Sequence, residues 1–316
     1  MIKRVAAIDC GTNSLRLLIA DVDVARHALT DVERRMEIVR LGQGVDATGM
    51  LAQDALKRTL RMLAEYARQI AAADAMAVRM VATSATRDAA NAADFSAGVH
   101  AALGITPEVI SGGEEARLSF AGATAELTGG SPPPPYLVVD IGGGSTEFVL
   151  GGNGLVPASD LAAISVDVGC VRLTERHLQA DPPTAAQIRA ATADIDRALD
   201  DVAAAIAVGD ARTLVGLAGS VTTVAAIALG LPAYDPALTH HARIPAPEVH
   251  AVTSQLLAQT HAQRAAIGSL HPGRVDIIGA GALILDRLMQ RFGFAEMVTS
   301  EHDILDGIAW SVAAGE

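Results

Sequence analysis

Two distant stretches of the chain place the same residue types at the same spacing, and those types suit the handling of phosphate. Val5-Ala6-Ala7-Ile8-Asp9-Cys10-Gly11-Thr12-Asn13-Ser14 and Tyr136-Leu137-Val138-Val139-Asp140-Ile141-Gly142-Gly143-Gly144-Ser145 both pass from apolar residues to an aspartate, then glycine, then a hydroxyl. Asp9 and Asp140, Gly11 and Gly142, and Ser14 and Ser145 are each 131 positions apart. Both copies then alternate, through Leu15, Leu17 and Ile19 in one and Thr146, Phe148 and Leu150 in the other. Glycine lets oxygens approach the backbone, converging amides make an anion nest, and a carboxylate ending a buried strand can hold a hard cation directly or through water. One Asp-x-Gly-x-x-Ser turn alone is usually structural. Two at equivalent places predict a duplicated strand–turn–strand unit, and hence two similar domains facing each other.

The elements that must carry these turns are those of an α/β protein, since alanine-rich amphipathic stretches alternate with short Val/Ile/Leu runs. Leu51 to Ala73 reads as one helix with Leu56, Leu60, Leu63, Ala67 and Ile70 on a face, and Val78 to Thr83 as a buried strand. Gly129-Gly130-Ser131-Pro132-Pro133-Pro134-Pro135 can continue neither a helix nor a central strand, so a surface loop and the domain boundary fall there. A third turn, Gly216-Leu217-Ala218-Gly219-Ser220, follows the strand-like Leu214-Val215 and precedes an apolar helix. It suits a further phosphate or a nucleotide, and equally a tight turn with no ligand. Gly279-Ala280-Gly281-Ala282 reads as helix packing.

With 316 residues, half of them hydrophobic, the chain can bury the interiors of two domains. No signal-like apolar region or run of about 18 apolar residues appears, so a cytoplasmic protein without membrane contact is expected. Cys10 and Cys170 sit in apolar segments without metal-ligand spacing and read as core thiols of a reducing compartment. The 36 acidic and 24 basic side chains give a net charge of −12, which excludes a broad nucleic-acid surface. A polyanion would need a local cluster of arginine, amides and metal, which favours an end-on phosphate ligand over a wrapped polymer. His240, His241, His250, His261 and His271 lack metal-cluster spacing and read as surface residues.

Both turns, together with Ala82-Thr83-Ser84-Ala85-Thr86-Arg87, Ile110-Ser111-Gly112-Gly113-Glu114-Glu115-Ala116-Arg117, Val168-Gly169-Cys170-Val171-Arg172-Leu173-Thr174-Glu175 and Gly216 to Ser220, resemble the motifs of the exopolyphosphatase and guanosine pentaphosphate phosphohydrolase family. The resemblance covers nearly the whole chain. It implies an actin-like ATPase-domain fold: two ribonuclease H-like α/β domains, over 1–128 and 136–302, with an interdomain active-site cleft and the last helix, near 303–316, joining the first domain. It places the general base at Glu115, with Asp140 and Glu147 completing the catalytic set. Thr12, Asn13, Ser14, Arg16, Arg87, Gly142, Gly143, Gly144, Ser145, Thr146, Gly219 and Ser220 become substrate ligands. Asp9, Asp140 and Glu147 become ligands of Mg2+, with Mn2+ as an alternative. His302 falls in a segment expected to cap the cleft, and a homodimer is implied.

From residue chemistry alone, Glu114 and Glu115 also fit an acidic pair at a helix N-terminus after Ser111, and Arg87 fits a surface ion pair. The expected activity is hydrolysis of the terminal phosphoanhydride of inorganic polyphosphate, with a preference for short chains, or of guanosine pentaphosphate in the stringent response. An actin-like kinase would share the turns but leaves Glu115 without a purpose. A regulator that binds polyphosphate or guanosine tetra- and pentaphosphate without turnover leaves the whole carboxylate set without one.

Overall fold

The computed structural model describes residues 2–127, 132–152 and 161–315, so the expected loop at 129–135 lies partly outside the described residues. The chain forms two compact units, Met1–Ala125 with Asp303–Glu316, and Glu126–His302. No helix among the described residues is long and apolar enough to cross a membrane.

The first unit is built on β1 (Ile2–Cys10), β2 (Ser14–Asp23), β3 (Ala28–Ile38), β4 (Ala77–Ala82) and β5 (Glu108–Val109), in the order β3-β2-β1-β4-β5. β1, β2 and β3 are antiparallel neighbours, whereas β4 and β5 add in parallel. The apolar character of β1 and β2 has a simple cause, because the sheet is covered on both faces. Ala6, Ile8, Leu15, Leu17 and Ile19 pack with Leu63, Tyr66 and Phe95 from helices Gln53–Ala72 and Ala92–Leu103. Val5, Ala7, Leu18, Ala20 and Val22 pack with Ile304, Leu305 and Ile308 of helix Ile304–Ala314. Each Val, Leu, Ile or Phe side chain among them contributes about 1.5–3 kcal/mol when fully buried.

The expected helix face is shifted by part of a turn. Leu56, Leu63 and Ile70 are buried as expected, together with Thr59 and Tyr66, while Leu60 and Ala67 lie at its margin. Tyr66 draws the helix round, since its hydroxyl donates to the Leu15 carbonyl at 3.1 Å.

The second unit carries β6 (Tyr136–Ile141), β7 (Thr146–Gly151), β8 (Ala162–Val166), β9 (Thr213–Leu217), β10 (Arg243–Pro245) and β11 (Glu296–Thr299). Their order is β10-β11-β9-β6-β7-β8, so β8-β7-β6-β9-β11 repeats the 3-2-1-4-5 arrangement of the first unit, with β10 added at one edge. Directions repeat too: β6, β7 and β8 are antiparallel, and β9 and β11 add in parallel. This is the expected ribonuclease H-like topology, twice. Gly281 of helix Ile278–Phe292 lets Ser220 of helix Ala218–Ala228 lie against its backbone, in keeping with the packing role read for Gly279 to Ala282.

Three glycines set close approaches that no larger residue permits. In the first unit, helix Gly112–Thr124 crosses helix Ile304–Ala314 where a Cβ on Gly122 would strike the Asp303 carbonyl and one on Gly307 the Leu118 carbonyl. Gly122→Ala should therefore lower stability by about 1–3 kcal/mol, measured by urea unfolding followed by circular dichroism. An unchanged midpoint would refute the crossing. In the second unit, a Cβ on Gly169 would strike the backbone of Gly143 and Gly144. Gly169→Ala should displace the glycine turn and lower stability by about 1–3 kcal/mol; an unchanged urea midpoint would show that the turn tolerates the shift.

Candidate functional site

In each unit the residues singled out from sequence gather where parallel strands end. β1 and β4 run side by side with Asp9 beside Val81 and Cys10 beside Ala82, and Ala82 in turn lies beside Val109. The chain leaves β1 into the turn from Gly11, β4 into helix Ser84–Arg87, and β5 into the helix bearing Glu115. In the second unit Asp140 lies beside Leu217, so the turns at Gly142 and Ala218 share an edge. Carboxyl ends of parallel strands are where open α/β sheets bind ligands.

The two repeated turns have one construction. The Gly11 amide donates to the Ser14 carbonyl at 3.0 Å, and the Gly142 amide donates to the Ser145 carbonyl at 3.0 Å. In the second turn, the Gly142 carbonyl accepts from the Cys170 amide at 3.0 Å, and that of Gly143 from the amides of Val171 and Arg172 at 2.9 and 3.1 Å. The Gly144 carbonyl accepts from Arg172 Nε at 2.7 Å. Across a trans peptide, the carbonyl and the following N–H point in opposite directions. Three carbonyls turned toward helix Cys170–His177 thus send the amides of Gly143, Gly144 and Ser145 the other way, as an anion nest requires. The first turn follows the same rule: the Thr12 carbonyl accepts from the Gly42 amide at 2.8 Å, and that of Asn13 from the amides of Val39 and Arg40 at 3.0 and 2.8 Å. Thr146 is turned away, its buried hydroxyl donating to the Val168 carbonyl at 2.6 Å.

Gly219 and Ser220 occupy the first turn of helix Ala218–Ala228, entered through Ala218 at a φ of 68°. A non-glycine residue in this left-handed region costs about 1–2 kcal/mol, strain of the kind that collects at functional turns. Arg274 lies over Gly219, and its Nη1 donates to the Gly219 carbonyl at 3.1 Å. Arg172 and Arg274 therefore stand at the two glycine turns of the second unit. Arg172 lay in a matched segment without an assigned role, and no spacing in the sequence ties Arg274 to a turn 55 residues away.

The charged side chains differ between the repeats. Asp9 faces Arg16 across β1 and β2, and Asp140 faces Glu147 across β6 and β7. Arg16 holds Asp9 Oδ2 at 2.8 Å and also pairs with Asp303, so the arginine expected on substrate is engaged with two aspartates. Asp303 in turn caps helix Ile304–Ala314, and Asp306 of that helix pairs with Arg34 at 2.6 Å. Burial pushes the Asp9 carboxyl above its ordinary range, against the pull of Arg16. Its Oδ1 is buried without a hydrogen-bond partner. Asp140 and Glu147 are 7 % and 1 % exposed. Like charges directly opposite on a sheet are destabilising, and a hard divalent cation relieves them. The acid pair of the second unit thus fits Mg2+, and the orphaned oxygen of Asp9 fits a further contact of the same kind.

Arg87 and Glu115 come together. Arg87 Nη1 lies 2.7 Å from Glu115 Oε2 and also donates to the Ile110 carbonyl at 3.0 Å. Glu114 lies apart from them, its carboxylate paired with Arg79 at 2.8 Å and its amide capped by Ser111 Oγ. The acidic pair does sit in the first turn of a helix, as the alternative reading had it, but only Glu115 is buried.

One cluster was invisible in the sequence because its members are 114 and 62 residues apart. Glu126 Oε2 lies 3.2 Å from His240 Nε2 and 3.6 Å from His302 Nδ1, and His241 stacks on His240 with ring centroids 3.8 Å apart. The group resembles a metal site in composition. Its wiring differs: His240 Nδ1 accepts the Glu301 amide at 3.1 Å, which makes Nε2 the protonated nitrogen, and a metal-bound histidine instead donates from its second nitrogen. His302 is thereby held beside a carboxylate. The buried thiols of Cys10 and Cys170 are pushed above their ordinary range by burial, so neither offers a thiolate.

The same architecture occurs in known proteins. The chain is 49% identical over 98% of its length to an exopolyphosphatase 2 of Mycobacterium tuberculosis, 98% of which is covered. It superposes on the crystal structure of an exopolyphosphatase-like protein with a TM-score of 0.94 and 43% identity, over 98% of both chains. A Ppx/GppA family member of Aquifex aeolicus follows with a TM-score of 0.82 and 29% identity, over 100% of this chain and 99% of that one. The model of the Ppx/GppA phosphatase family matches residues 18–314. With both turns, both sheets and the Arg87–Glu115 pair in place, that match makes this chain a member of the Ppx/GppA phosphatase family.

Proposed function

We propose that the protein is an exopolyphosphatase, a hydrolase that releases orthophosphate from the end of inorganic polyphosphate in the cytoplasm. The observation that carries this reading is the pair of matched turns, in which the carbonyls of Thr12 and Asn13 and those of Gly142, Gly143 and Gly144 accept hydrogen bonds and so direct the following amides the other way. The near-full-length likeness to an exopolyphosphatase supports the choice of substrate.

In this reading the amides of Gly143, Gly144 and Ser145 hold phosphoryl oxygens, and Asn13 and Ser14 do so from the first turn. Glu115 accepts the proton of the attacking water as the water oxygen bonds to the terminal phosphorus. The bond from phosphorus to the bridging oxygen breaks, and its electrons leave with the shortened chain. Arg87 orients Glu115 and places positive charge near the oxygens that gain charge. Asp140 and Glu147 would hold Mg2+, which supplies charge neutralisation at the phosphates. A net charge of −12 repels polyanions at a distance, so capture depends on this local set and suits an end-on grip.

The direct test measures orthophosphate release with Mg2+ from short polyphosphate, long polyphosphate and guanosine pentaphosphate. Release from polyphosphate is expected. Release from the nucleotide alone would move the protein to alarmone hydrolysis, and no release from any would leave a binding protein. Glu115→Gln should lower kcat by about a hundredfold or more, the usual scale of general-base catalysis, and keep polyphosphate binding. An unaffected kcat would remove Glu115 as the base. Saturating Mg2+ at a hundred times its Kd should raise stability by about 2.7 kcal/mol, seen as an increase in Tm that Glu147→Gln abolishes.

A further inference from the structure

We propose that Ser165 is a positioning residue that orients Glu147 toward its divalent cation and biases the site toward Mg2+ over Ca2+; this rests on the reading of Asp140 and Glu147 as cation ligands. The argument starts from register. Asp140 on β6 lies opposite Glu147 on β7, and Glu147 lies opposite Ser165 on β8, so the three side chains form one row on one face of the sheet. Ser165 Oγ donates to Glu147 Oε1 at 2.7 Å.

The equivalent row of the first unit is Asp9, Arg16 and Met36. There the central residue is a cation that itself holds the aspartate, and the third is a thioether with no proton to donate. A hydroxyl stands in the third place only in the unit where two acids face each other. Side chains in register on adjacent strands are near enough to interact. The serine therefore does for Glu147 something the first unit has no need of.

A carboxylate tied at Oε1 presents its other oxygen in a set direction and is disposed to bind through that oxygen alone. Mg2+ accepts single carboxylate oxygens at strict octahedral distances, whereas Ca2+ takes larger, looser shells in which a carboxylate often binds through both oxygens. Outer partners that orient ligands in this way typically change metal affinity by about 10–100-fold.

The test uses Mn2+ as the probe, titrated into the full-length protein with free Mn2+ read by electron paramagnetic resonance, and then displaced by Mg2+ or Ca2+. Ser165→Thr keeps the hydroxyl, and Ser165→Val keeps the same shape without it; Ser165→Ala removes both, and melting without metal confirms that each is folded. Ser165→Val and Ser165→Ala should weaken Mn2+ about tenfold and shift displacement in favour of Ca2+, while Ser165→Thr stays within about twofold of the native protein. Equal affinity and equal displacement in all three variants would overturn the role of Ser165. Glu147→Gln separates this from the underlying reading: if it too leaves Mn2+ binding unchanged, the cation site itself is wrong and the inference falls with it. Loss of binding in Glu147→Gln alone removes only the role of Ser165.

Discussion

The direction of a few peptide planes governs what either unit can do. A trans peptide carries its carbonyl and the next amide on opposite sides, so whatever takes the carbonyls of a turn decides where its amides point. In the second unit the start of helix Cys170–His177 takes them, with Arg172 closing the last one. In the first, the segment from Val39 to Gly42 does the same work without a helix. Much of the surrounding structure exists to bring those donors close. Gly169 lacks a side chain because a Cβ would displace the Gly143 backbone, and Gly42 lacks one because a Cβ would meet Thr12.

Around this shared frame the two units have taken opposite electrostatic solutions at one register position. Arg16 opposite Asp9 gives a compensated pair, and the ion pairs of Asp303 with Arg16 and of Asp306 with Arg34 tie the last helix to the first sheet. Breaking such a part-buried network leaves a charge without a partner, at a cost of several kcal/mol, about 3–5 where burial is complete. Glu147 opposite Asp140 instead sets two buried acids side by side. A duplicated fold can therefore divide its labour with a single change of side-chain sign.

Much of this was legible in the chain itself. The repeat at 131 residues predicted two sheets of one design, and the strand order 3-2-1-4-5 appears in both. Alternation along β2 and the periodic face of helix Gln53–Ala72 were readable because burial imposes those periods. The helix face was off by part of a turn because Thr59 and Tyr66 are buried in it, the latter bonded to Leu15, 51 residues away. Arg16 read as a ligand of phosphate from its motif, yet an aspartate 287 residues further on takes part of its guanidinium. Thr146 looked like a turn hydroxyl, but its partner is a carbonyl 22 residues later.

The sequence by itself determined the residue types at the strand ends, the glycine turns and the duplicated unit, since each follows from local backbone freedom and strand periodicity. Tertiary structure alone decided which side chains face each carboxylate. It paired Arg87 with Glu115, set Arg172 and Arg274 over the glycine turns, gathered Glu126, His240 and His302, and placed Ser165 beside Glu147. The physical reason is that charge pairing and hydrogen bonding act over about 3–4 Å of space, and only the folded chain brings residues far apart in sequence within that range.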